Sequence, residues 1–114
     1  MKKFKNLKIW NEGIEIVTNV YALTAGYPEH EKSGLASQMQ RSAVSIPSNI
    51  AEGYGRNSDP DFRRFLNISR GSSYELETQL IISQKLGYIS TKQLEIVLTL
   101  LDNIQGGITN FQKN

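Results

Sequence analysis

Apolar residues recur at alternating spacings of three and four along four separate stretches of this chain, which keeps each set on one side of an α-helix. The first set is Leu7, Trp10, Ile14, Val17 and Tyr21, and it predicts a helix over about 6–25 that stops at Gly26-Tyr27-Pro28. The second, Leu35, Met39, Ala43, Ile46, Ile50 and Gly53, predicts a helix over about 30–54 with Pro47 inside it. Proline removes the bond back to the Ala43 carbonyl, so a kink or local widening is expected there. Phe62, Leu66, Ser69, Ser73, Leu76, Leu80 and Ser83 define a third helix over about 60–86, with Asp59 as N-cap, Pro60 as first helical residue and Gly87 as stop. Leu94, Val97, Leu101, Ile104, Ile108 and Phe111 define a fourth, reaching about 112. Its start carries a capping box, Ser90-Thr91-Lys92-Gln93, and a hydrophobic staple formed by Ile89 and Leu94.

Four such helices joined by short connectors predict an all-α fold, an antiparallel up-down-up-down four-helix bundle, with residues 1–114 forming a single domain. No run approaches the roughly 18 apolar residues of a membrane span, and no apolar signal segment follows the first lysines, so a cytoplasmic protein without membrane contact is expected. Small residues crowd the second helix at Ser42, Ala43, Ser45 and Ser48, and Gly71-Ser72-Ser73 is expected to face them from the third. Further apolar residues lie outside the four stripes: Ile9, Ile16, Val20, Phe65, Ile68, Ile82, Ile96 and Leu100. They are compatible with a subunit interface and equally with ordinary scattered surface hydrophobes.

Catalytic chemistry finds little support. With no cysteine, disulfides, thiolate metal sites and a cysteine nucleophile are all excluded. The single histidine, His30, sits between Glu29 and Glu31 in a connector, and no helix carries the Glu-x-x-His pair that a bundle metal site uses. Gly53-Tyr54-Gly55 follows a helix, not a strand, and lacks the third glycine of a dinucleotide loop. Neither an enzyme nor a cofactor is expected. A polar line on the second helix, Gln38, Arg41, Ser45, Ser48, Asn49 and Glu52, reads as an internal hydrogen-bond network reaching Glu75 or Glu77, with ligand binding as the alternative.

Charge is unevenly spread although the formal net charge is only +2. Residues 1–11 carry four lysines and no acid, and all five arginines fall within residues 41–70. In the predicted topology the start of the first helix and the connector between the second and third lie at one end. Lys2, Lys3, Lys5 and Lys8 should therefore converge with Arg56, Arg63 and Arg64 into a basic rim suited to phosphates.

The run Arg41-Ser42-Ala43-Val44-Ser45-Ile46-Pro47-Ser48-Asn49-Ile50-Ala51-Glu52-Gly53-Tyr54-Gly55-Arg56 is distinctive. With Leu7-x-x-Trp10, Asp61-Phe62, Arg64-Phe65-Leu66, Gly71-Ser72 and Glu75-Leu76-Glu77-Thr78, it resembles the four-helix-bundle family of 23S rRNA intervening-sequence proteins across nearly the whole chain. Ser69 departs from the alanine usual in that family. The resemblance implies a bacterial protein, often encoded within a ribosomal RNA gene insertion, that assembles as a ring-like homopentamer. A similar group, the accessory variability proteins of diversity-generating retroelements, works with a reverse transcriptase and nucleic acid.

Two functions follow as expectations: an oligomer binding RNA or DNA through its basic rim, or a scaffold that binds another protein. Within the distinctive run, structural roles are expected: Pro47 shapes the helix, Asn49 bonds backbone groups freed by the proline, and Glu52 pairs with an arginine. Arg41 and Glu75 are expected in packing and polar pairing, and Gly71 in close helix approach.

Overall fold

The computed structural model describes residues 3–113; Met1, Lys2 and Asn114 lie outside the described residues. A 3-10 turn, Lys3–Asn6, leads into α1, Lys8–Thr24. A second 3-10 turn, Glu29–Glu31, precedes α2, Leu35–Tyr54, which is followed by α3, Asp59–Lys85, and α4, Thr91–Gln112. Each helix packs on its neighbours in sequence and α4 closes back on α1. The hydrogen bonds between α3 and α4 fix the antiparallel register: Gln112 reaches Asn67 at 2.6 Å, Arg70 reaches Thr109 at 3.4 Å, and Gln105 reaches Ser73 at 3.2 Å. The architecture is an all-α four-helix bundle, and no described helix is long and apolar enough to cross a membrane.

Local chemistry sets the ends of the elements. The capping box at α4 forms in full, with the Gln93 amide donating to Ser90 Oγ at 3.0 Å and the Ser90 amide to Gln93 Oε1 at 2.8 Å. At the end of α3, Gly87 takes φ +82, and the amides of Tyr88 and Gly87 return to the carbonyls of Ser83 and Gln84 at 2.9 and 3.0 Å. This pair of bonds satisfies carbonyls that the helix end would otherwise orphan. The cap of α3 differs from the expected one: Ser58, not Asp59, is the N-cap and accepts from the Asp61 amide at 3.3 Å. Asp59 and Asp61 thereby fall within the first turn, where the positive end of the helix dipole favours carboxylates.

The stripes on α2, α3 and α4 point inward, except that Phe111 at the end of the α4 stripe is 39% exposed. Met39, Ala43, Ile46, Ile50, Leu66, Leu76, Leu80, Leu101, Ile104 and Ile108 are fully enclosed. The stripe on α1 does not. Its buried residues are Ile9, Gly13, Ile16, Val20 and Thr24, whereas Ile14 and Tyr21 are 39% and 46% exposed and Leu7, Trp10 and Val17 only half-buried. The expected surplus face is thus the core face. Close approach explains the rotation: a Cβ on Gly13 would lie 3.1 Å from the Pro47 Cβ, and one on Gly107 would lie 2.7 Å from the Ile9 methyl. Two glycines let α1 settle against α2 and α4 with its Gly13 and Ile9 side inward, and that contact outweighs the larger residues of the other stripe.

Pro47 is buried, and α2 runs helical on both sides of it from Leu35 to Tyr54. Gly71 does not face α2, since a Cβ there would meet nothing within 4 Å. Ser72 of the same patch does face α2 and bonds Ser45 at 2.8 Å, and Ser69 adds a bond to the Ile46 carbonyl at 2.8 Å.

Candidate nucleic-acid interface

One end of the bundle gathers most of the described basic residues singled out above. There the Lys3–Asn6 turn is closed by the Leu7 amide on the Phe4 carbonyl at 3.0 Å, and the Phe4 ring meets Trp10 edge to face at 5.3 Å. The turn lies over the end of α2, and between them opens a cleft of about 520 Å³ lined by Lys3, Phe4, Ala51, Glu52, Tyr54, Gly55 and Arg56. Lys3 and Arg56 are therefore neighbours across one cleft although far apart in sequence.

Gly53 makes the next contact possible. A Cβ at this buried position would stand 2.6 Å from the Phe65 Cβ, so only glycine lets the end of α2 approach α3 so closely. Phe65 is buried beneath two guanidinium groups: Arg56 Cζ lies 5.0 Å and Arg64 Cζ 4.5 Å from its ring centre. Cation–π attraction orients both groups from a single ring. Each also has a carboxylate neighbour, Arg56 with Glu52 at 3.1 Å and Arg64 with Asp61 at 3.6 Å. These pairs are solvent-exposed, and such pairs contribute about 0–1 kcal/mol, so an incoming phosphate can compete for either arginine. Tyr54 stacks edge to face on Phe62 at 5.7 Å and stays 38% exposed.

The remaining candidates distribute unevenly. Lys5 is exposed on the N-terminal turn, and Arg63 is exposed on the first turns of α3, its carbonyl accepting from Gln112 at 3.5 Å. Lys8 does not join the cleft; it lines a groove between α1 and α4 that Glu12, Asp102 and Asn110 also line. Lys2 lies outside the described residues.

The polar line of α2 is divided among several partners. Asn49 donates to the Ser45 carbonyl at 2.8 Å and to Ser45 Oγ at 2.9 Å. The carbonyl it serves belongs to Ser45, whereas the one that Pro47 leaves without a helical donor belongs to Ala43. Arg41 and Glu75 line an open cleft of about 210 Å³ with Gln38, Ser42, Ser45 and Ser72. Glu77 turns away to accept from Gln105 of α4 at 3.1 Å.

At the opposite end His30 is highly exposed, 3.5 Å from the Tyr88 hydroxyl. That hydroxyl donates to Glu31 at 2.9 Å, and the Leu35 amide adds a second bond at 3.3 Å. Both hold the Glu31 carboxyl below its ordinary value, and the same contact raises the Tyr88 hydroxyl.

The role of Phe65 beneath Arg56 and Arg64 was the contact least visible in the sequence. Its one trace there is Gly53, the small residue that ends the α2 stripe and leaves room for the ring.

The fold and its basic, aromatic-lined end define a small all-α protein, a four-helix bundle. The chain belongs to the 23S rRNA-intervening sequence protein family, whose sequence model matches residues 5–110. Among solved structures it is similar to a protein of unknown function from the S23 ribosomal protein family of Bacteroides thetaiotaomicron. The TM-score is 0.86 at 24% identity, covering 93% of this chain and 99% of that one, a likeness of fold. No curated protein matches the chain.

Proposed function

We propose that this protein is a non-enzymatic, cytoplasmic, oligomeric binder of RNA or DNA that meets phosphates with the basic end of its bundle. The observation that carries the reading is the convergence of Arg56 and Arg64 on the Phe65 ring, with Lys3 across the adjoining cleft. Lys5 and Arg63 widen the positive surface, and contacts of this kind are insensitive to base sequence. Because bound phosphates release counterions, affinity should fall steeply with salt. RNA and duplex DNA binding measured at low and physiological salt tests this. A variant with Lys3 and Lys5 changed to Gln and Arg56 and Arg64 changed to Gln should bind weakly and with a shallower salt slope. Parent and variant sharing one slope would refute the reading.

Self-association belongs to the same proposal, with a homopentamer as the expected size. It is supported by the half-exposed row Trp10, Ile14, Val17 and Tyr21 on α1, with Val44 of α2 39% exposed. Light scattering at micromolar concentration should report a multimer; a monodisperse monomer would overturn it. The same apolar row favours a second reading, a scaffold that binds a different protein. It takes precedence if no nucleic acid binds at low salt.

A further inference from the structure

We infer that the cleft between the Lys3–Asn6 turn and the end of α2 holds one unstacked nucleobase, so that the partner of the basic end is single-stranded nucleic acid. The inference rests on the phosphate-binding reading above and narrows it. A phosphate site alone needs only cations, yet this cleft pairs Lys3 and Arg56 with two aromatic side chains, Phe4 and Tyr54.

Tyr54 is well exposed for a ring that also packs on Phe62, so part of its surface is open to a ligand while the rest anchors it. Phe4 is braced by Trp10 in the same manner. Rings held by neighbours lose little freedom on binding, which favours stacking over a mobile surface aromatic. Gly55 and Ala51 add little side-chain bulk between them, and the cleft's volume of about 520 Å³ falls within the range of roughly 300–1,000 Å³ typical of small-ligand sites.

Charge divides the cleft as a nucleotide would require. Lys3 and Arg56 supply donors for a backbone phosphate, with Arg64 beyond them over the shared Phe65 ring. Glu52 would repel a phosphate, but its carboxylate can accept from the N–H groups on a base edge. In a duplex the base faces are already stacked on one another and cannot reach an aromatic side chain. In a single strand each base offers its face, and every base can do so.

The test uses the full chain with five probes at one salt concentration: a single-stranded RNA, a single-stranded DNA of the same sequence, the duplex counterpart of each, and a strand of equal length carrying abasic residues. One or both single strands should bind about tenfold more tightly than the duplexes and the abasic strand, the order expected of one base–aromatic stack. Tyr54→Leu keeps an apolar contact with Phe62 and should remove that preference, so that the single strands bind the variant no more tightly than the duplexes and the abasic strand do. Tyr54→Phe should retain the preference, and matched thermal melts for both variants separate stacking from folding. Upfield shifts of the Tyr54 ring protons on adding the single strand give a second readout. Equal affinity for single strand, duplex and abasic strand overturns this inference and leaves the phosphate reading standing. Failure of every probe to bind overturns both.

Discussion

Replacing Gly53 with alanine is the sharpest probe of how the basic end is built. The new methyl would stand 2.6 Å from the Phe65 Cβ, 3.1 Å from Phe62 Cδ1 and 3.3 Å from Phe65 Cγ. The first of these neighbours sits next to the α3 backbone and cannot rotate aside. Forcing extra volume into such a contact costs about 1–3 kcal/mol. Alanine's higher helix propensity returns about 1 kcal/mol, leaving a net loss of about 0–2 kcal/mol. Gly71→Ala is the matched control, because that position is also helical yet has no neighbour within 4 Å of the added Cβ. It should gain about 0.5–1 kcal/mol through propensity and a less flexible unfolded chain.

Urea unfolding followed by far-ultraviolet circular dichroism, at one protein concentration, gives both numbers on a common scale. The separation between the variants should be about 2 kcal/mol, or roughly 8 °C in melting temperature. Pushing Phe65 away also moves the ring on which Arg56 and Arg64 rest, so Gly53→Ala should weaken oligonucleotide binding at low salt whereas Gly71→Ala should not. If Gly53→Ala proves as stable as Gly71→Ala, the close approach of α2 to α3 is not what fixes this end of the bundle.

Further outcomes can be measured on the same footing. Asn49→Ala removes two hydrogen bonds to Ser45 and should cost about 1 kcal/mol, while Glu52→Ala, which breaks an exposed pair with Arg56, should stay within about 0.5 kcal/mol. Chemical denaturation of the two single variants resolves them, and equal losses would contradict the assignment. Ser69→Ala deletes the buried bond to the Ile46 carbonyl and should cost about 1 kcal/mol, read from the same curves. Because Glu31 has a depressed carboxyl, its contribution is complete above the ordinary value of 4.5 and is lost as pH falls through the lower folded value. The raised Tyr88 hydroxyl contributes below its ordinary value of 10.0 and loses that contribution as pH rises beyond it. Tyr88→Phe should therefore flatten the fall of melting temperature at both extremes; an unchanged profile would show that the Tyr88–Glu31 contact carries no linkage.

Much of the fold was legible because a helix imposes its period on the residues it buries. Met39, Ala43, Ile46 and Ile50 on α2, and Val97, Leu101, Ile104 and Ile108 on α4, could be read as inward-facing from spacing alone. The α4 capping box and the Gly87 stop were equally plain, since each is settled within a few residues. For α1 the same reasoning picked the wrong face, because Leu7, Trp10, Ile14, Val17 and Tyr21 and the set Ile9, Ile16 and Val20 both satisfy a helical period. Periodicity fixes angles within a helix and says nothing of how that helix is rotated against its neighbours. That choice fell to Gly13 against Pro47 and Gly107 against Ile9, contacts between residues far apart in the chain. The basic end divides in the same way. Topology brought Lys3 beside Arg56, but the placement of Lys8 in the α1–α4 groove and of two arginines over Phe65 was decided by packing. A one-dimensional pattern records which side chains share a face, whereas which of those faces meet is settled only when the whole surface of each helix is pressed against another.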